Sequence, residues 1–175
     1  MKHAYFFMPL LAVLACQPNT KPPMPTPKEA SELELIDESI ARVFDAICFD
    51  AATGPTMYQL KEVFVDEGLL INYNEEEPVI LPVDDFIKSF EEVVASGAIP
   101  SLEDKEVRHE TRVFDKIAHR YSFYEARFTA SEAPFARGVN SIQLIKTHEG
   151  WKVTSMAWND DNRGDGFFER MVPSH

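Results

Sequence analysis

The sequence predicts an α+β fold whose helices come first and pack against one face of a curved, mainly antiparallel sheet. Three observations carry that expectation. Apolar residues recur at helical spacing in the first half of the chain and alternate in the second. Turn residues divide that second half into long hairpins. It also contains no segment of helical period to serve as a crossover, which excludes a doubly wound parallel sheet.

Of 175 residues, the first fifteen stand apart. Met1, Lys2 and His3 make a short basic start, and positions 4–15 are apolar apart from the Tyr5 hydroxyl and the break at Pro9. The run is too short for an ordinary membrane span and stops at Cys16, so it reads as an export signal. Val13-Leu14-Ala15-Cys16 resembles the bacterial lipobox, in which the cysteine is acylated after cleavage. The following QPNTKPPMPTPK holds five prolines in twelve positions. Proline fixes φ and removes donors, so residues 16–28 are expected to form an extended tether behind a lipidated Cys16. Gln17, where Asp would retain a lipoprotein at the inner membrane, points by the same resemblance to the outer membrane, with the domain facing the periplasm. Acyl chains anchor a chain without a spanning helix. Cleavage removes Lys2 and no carboxylate, moving the formal charge from −12 to −13. That acidity argues against a nucleic-acid partner, which needs a basic surface. One unmodified thiol, Cys48, is then left, so no internal disulfide can form.

The domain is expected over 29–161. Residues 29–50 form the clearest helix: Leu33, Ile36, Ile40, Val43 and Ile47 recur every three or four positions, with Phe44 and Cys48 widening the stripe. Cys48 on that stripe reads as an inert core residue. Thr53-Gly54-Pro55 ends the helix, and 57–65 makes a short second one. Segments 69–73 and 79–81 read as strands. Residues 84–95 form an amphipathic helix on Phe86, Phe90, Val93 and Val94, closed by Ser96-Gly97. The period then changes to two. Segments 105–114 and 117–128 are paired across Asp115-Lys116, and 139–146 and 151–159 across residues 147–150. Residues 162–175 read as a polar carboxy-terminal tail.

The run FARGVNSIQLIKTHEGWKVTSMAWNDD, preceded by IAHRYSFYEARF, resembles the carboxy-terminal half of bacterial nuclear-transport-factor-2-like domains, also called SnoaL-like or ketosteroid-isomerase-like. The resemblance covers roughly residues 30–161. It implies a cone-like fold with the helices against the concave face of the sheet, a pocket between them, and often a homodimer. It implies no single reaction.

Register identifies candidate pocket residues. A two-residue turn at Asp115-Lys116 sets Phe114 opposite Ile117 and His109 opposite Ser122, so Val107, His109, Thr111, Arg120, Ser122 and Tyr124 share a face. A one-residue bulge would exchange such assignments. His109 is a candidate acid or base, and Tyr124 a candidate donor to a ligand oxygen. Ser122 can assist, and Arg120 can hold an anionic group. Asn140 and Trp158 are candidate ligand contacts on the later strands. Alignment of EGLLINY with ketosteroid-isomerase relatives puts Asn72 about where their catalytic Asp lies. An amide can position a ligand there but cannot transfer the proton, so steroid isomerisation is not expected.

The acidic loop at Glu75, Glu76 and Glu77 and the segment DDNRGDG read as solvated. No metal-binding spacing, phosphate-cradling glycine motif, nucleotide fingerprint or nucleophile triad is present, and no cofactor is expected. The leading reading is small-molecule binding by a lipid-anchored periplasmic domain. One alternative is a lyase, hydrolase or isomerase using His109 and Tyr124. The other is a noncatalytic envelope interaction module with a filled interior.

Overall fold

The computed structural model describes residues 27–129, 132–162 and 164–172. The export signal, Cys16 and the tether up to residue 26 lie outside the described residues. The first helix, α1 (Pro27–Ile47), opens on a proline, whose missing N–H has no intrahelical partner at that position in any case. Ile36, Ile40 and Val43 are buried along one stripe, as the spacing predicts. A turn of 3-10 helix (Met57–Gln59) leads into α2 (Leu60–Val63), which seats Leu60 and Val63 in the core. Strands β1 (Phe64–Asn72) and β2 (Val79–Pro82) follow, then α3 (Val83–Ala95). The long strands are β3 (Glu103–Phe114), β4 (Ile117–Arg127), β5 (Ala136–Thr147) and β6 (Gly150–Asp160).

These six strands form one sheet in the order β2-β1-β6-β5-β4-β3. The sheet corrects the expected architecture. It is mixed and open, neither curled on itself nor closed, so the curved sheet with a concave face and the cone built on it are not found. The physical reason is the route of the chain. β1 arrives before the two long hairpins and joins them by pairing in parallel with β6, the last strand. That leaves β2 at one edge and β3 at the other, with no ladder between them. The remaining ladders are antiparallel.

The helices α1, α2 and α3 contact the sheet on one side, where the core forms. Ser39 donates to the Trp151 carbonyl at 3.0 Å, and the Trp151 indole donates to Glu32 at 2.9 Å, so polar groups at this interface are satisfied. The other side of the sheet is covered in part by α4 (Phe167–Met171), within the segment read from sequence as a polar tail. Phe168 is buried against the Phe123 ring, and Arg137 lies over Phe168. The sequence hides this helix because Gly164 and Gly166, both with positive φ, separate it from the strand that aims it.

Candidate functional site

Cross-strand pairing arranges the core face of the sheet in rows. One row runs His109, Ser122, Asn140, Trp158, Asn72 from β3 to β1. The next runs Glu106, Tyr124, Gly138, Asp160. The two-residue turn gives the expected pairs Phe114 with Ile117 and His109 with Ser122. Beyond His109 the register shifts: Glu106 faces Tyr124 and Arg108 faces Phe123, leaving Val107 as a bulge. Glu106 therefore takes the inward position that alternation assigns to Val107.

That exchange divides the candidates between two places. At the β3 edge, Arg120 is buried with its Nε donating to Glu106 Oε1 at 2.9 Å and its Nη1 to Thr111 at 3.2 Å. It also pairs with Asp37 of α1 and through Nη2 with Glu106. Burial works against the charge, but the bonds to Glu106 and Asp37 outweigh it and raise the guanidinium pKa. His109 Nδ1 lies 2.9 Å from Arg120 Nη2 and 3.0 Å from Glu106 Oε2. Arg120 and His109 thus belong to an ion cluster that ties α1 to the β3–β4 hairpin. Neither is among the residues that line the cavity described next.

That cavity, of about 370 Å³, lies between α3, the end of α1 and the sheet. Tyr124, Asn140, Trp158 and Asn72 line it, and Ser122 does not. Its apolar wall includes Phe86 and Phe90 of α3, with the Phe86 and Trp158 rings edge-to-face at 5.9 Å. Its polar side is acidic. The Tyr124 hydroxyl donates to Asp160, and burial and that carboxylate hold the phenol above its ordinary range. Tyr124 reaches across Gly138 to do so. A Cβ on Gly138 would stand 2.8 Å from the Tyr124 hydroxyl and 2.2 Å from the Asn159 carbonyl oxygen. Asn72 Oδ1 accepts from the Asn74 N–H at 2.9 Å, and Asn74 Oδ1 accepts from the Asp160 N–H at 2.7 Å, which fixes the cavity rim.

Asp104, which the sequence reading did not single out, completes this side. Its N–H donates to Cys48 Sγ at 3.2 Å, and Cys48 Sγ donates to its carbonyl at 3.3 Å. Burial, then the neighbouring Asp160 carboxylate, pushes Asp104 up to about 7, against a backbone hydrogen bond from Lys105 that lowers it. Its Oδ1 is buried and has no hydrogen-bond partner among the described residues, and the same holds for Asn140 Nδ2. Both residues line the cavity. A buried acceptor and a buried donor without partners on one wall are the groups a polar ligand satisfies. Among the described residues no three His, Cys, Asp or Glu side chains group as a metal site.

Comparison with family models finds no match, and comparison with curated proteins finds none either. Solved structures do match. An NTF2-like protein of unknown function from Silicibacter pomeroyi is 14% identical, with a TM-score of 0.55 over 75% of this chain and 97% of that one. A Nostoc punctiforme protein of unknown function with a cystatin-like fold is 13% identical, with a TM-score of 0.59 over 79% of this chain and 95% of that one. A function-unknown protein from Mycobacterium tuberculosis is 14% identical, with a TM-score of 0.61 over 79% of this chain and 77% of that one. The chain has the fold of NTF2-like and cystatin-like proteins. At these identities the likeness concerns the fold alone.

Proposed function

We propose that this protein binds a small molecule in the cavity between α3 and the sheet while lipid on Cys16 holds it at the periplasmic side of the bacterial outer membrane. One observation carries the binding reading: the wall is largely apolar, yet Asp104 Oδ1 and Asn140 Nδ2 are buried in it without partners among the described residues. Apolar enclosure supplies affinity, and a few fixed polar atoms supply orientation. The open space also speaks against the filled interior of a pure interaction module. The anchor rests on the lipobox-like Val13-Leu14-Ala15-Cys16 and the proline-rich stretch behind it.

Trp158 provides the test. It lines the cavity, whereas Trp151 is buried on the α1 side beside Glu32. Titration of the purified chain with a panel of small aromatic and alicyclic compounds should change tryptophan emission, and Trp158→Phe should remove the change. A panel that leaves emission and melting temperature untouched contradicts the reading.

A second reading, catalysed proton transfer, is favoured by Asp104. A carboxyl group poised near neutrality can donate or accept a proton inside a low-dielectric cavity, with Tyr124 close to the same carboxylates. It replaces the pairing of His109 with Tyr124, because His109 is held by Glu106 and Arg120. Conversion of a bound compound that Asp104→Asn abolishes, while binding persists, supports catalysis. Binding with no conversion in either protein contradicts it.

A further inference from the structure

We propose that the pocket, read as above, takes a protonated amine carried on an apolar or aromatic body, with the ammonium seated at Asp104. The wall supplies acceptors and negative charge but no competing cation: among the described residues lining it there is no Lys, Arg or His. Asp104 Oδ1 is enclosed and has no partner among the described residues, and Asp160 stands near enough to repel its charge. Two carboxylates at one end of a mostly apolar cavity are costly until a cation joins them, and a charge-assisted hydrogen bond from an ammonium relieves that cost directly. The guanidinium of Arg120 lies outside the cavity lining and is held by Glu106 and Asp37.

The remaining wall fits the same class. Phe86, Phe90 and Trp158 line the same cavity, and aromatic faces attract organic cations as well as apolar bodies. Asn140 is 2% exposed, and its Nδ2, without a partner among the described residues, is a donor. It complements an oxygen on the ligand rather than the ammonium, so hydroxylated or carbonyl-bearing amines suit the wall best. A carboxylate ligand would meet Asp104 and Asp160 with like charge and is disfavoured.

Calorimetric titration of the full-length chain at pH 8 with 2-phenylethylamine, 2-phenylethanol and phenylacetate tests this. The three share an aromatic body and differ in charge. The amine should bind at least about tenfold more tightly than the alcohol, and phenylacetate should bind weakest. Asp104→Asn should abolish the amine's advantage over the alcohol, with circular dichroism confirming the fold. Equal affinity of amine and alcohol, tightest binding by phenylacetate, or an amine preference that survives Asp104→Asn overturns the proposal. If the alcohol binds without any advantage for the amine, this inference fails and the pocket reading stands. Binding of none of the three contradicts both. Should Asp104→Asn not fold, the ranking in the unaltered chain decides alone.

Discussion

Asp104 carries the strongest consequence at the scale of single residues. Its folded pKa lies near 7, well above the ordinary 3.8, so between those values the folded chain binds a proton that the unfolded chain has lost. Its contribution to stability is therefore present at low pH and lost as pH rises towards 7. Asp104→Asn, which keeps the shape without the charge, should leave thermal stability nearly unchanged at pH 3, below both values, and raise it by roughly 4 kcal/mol at pH 8. Melting curves at the two values check this, and an equal effect at both contradicts it. Arg120 is the opposite case. Truncation to Ala strands the mostly buried Glu106 beside Asp37 and should cost roughly 3 kcal/mol in denaturant unfolding. Alternation alone makes Tyr124, Asn140 and Trp158 legible in the sequence as inward-facing residues. Asp104 is not legible, because Glu103-Asp104-Lys105-Glu106 looks like a solvated run. Cys48, at the end of α1 and fifty-six positions away, holds its backbone, and no local window carries that contact.

Among the elements, the two long hairpins place the site. Their strands follow from period two, and the pairing of β3 with β4 follows from a two-residue turn at Asp115-Lys116. The bulge at Val107 does not follow, since nothing in the alternation marks it, and it alone moves Glu106 to the core face to meet Arg120. Gly138 is the corresponding control on β5. An added methyl would strike the Asn159 carbonyl at 2.2 Å and the Tyr124 hydroxyl at 2.8 Å. Gly138→Ala should therefore destabilise the chain by roughly 2–3 kcal/mol and release Tyr124 from Asp160. Unfolding curves read the first effect, and a fall in the Tyr124 titration midpoint reads the second. An alanine variant with the original stability would show that β6 moves aside freely. The parallel seating of β1 on β6, which opens the sheet, is likewise a long-range choice that joins strands eighty residues and more apart.

Taken as a whole, the molecule joins an acidic domain to an expected lipid anchor. Cys16→Ala should block acylation and move the chain from the membrane fraction to the soluble fraction of the cell envelope, while leaving ligand binding intact. Fractionation with incorporation of labelled fatty acid checks this, and membrane retention of the unlabelled variant contradicts the anchor. Binding requires that the cavity be open to a ligand. The most direct test is an experimental structure of the chain after incubation with cell-envelope extract. The expected result is a molecule between α3 and the sheet, its body against Phe86 and Trp158 and its polar end within hydrogen-bond reach of Asp104. A structure in which Phe86, Phe90 and Met156 close that space and Asp104 Oδ1 accepts from a protein donor would contradict it.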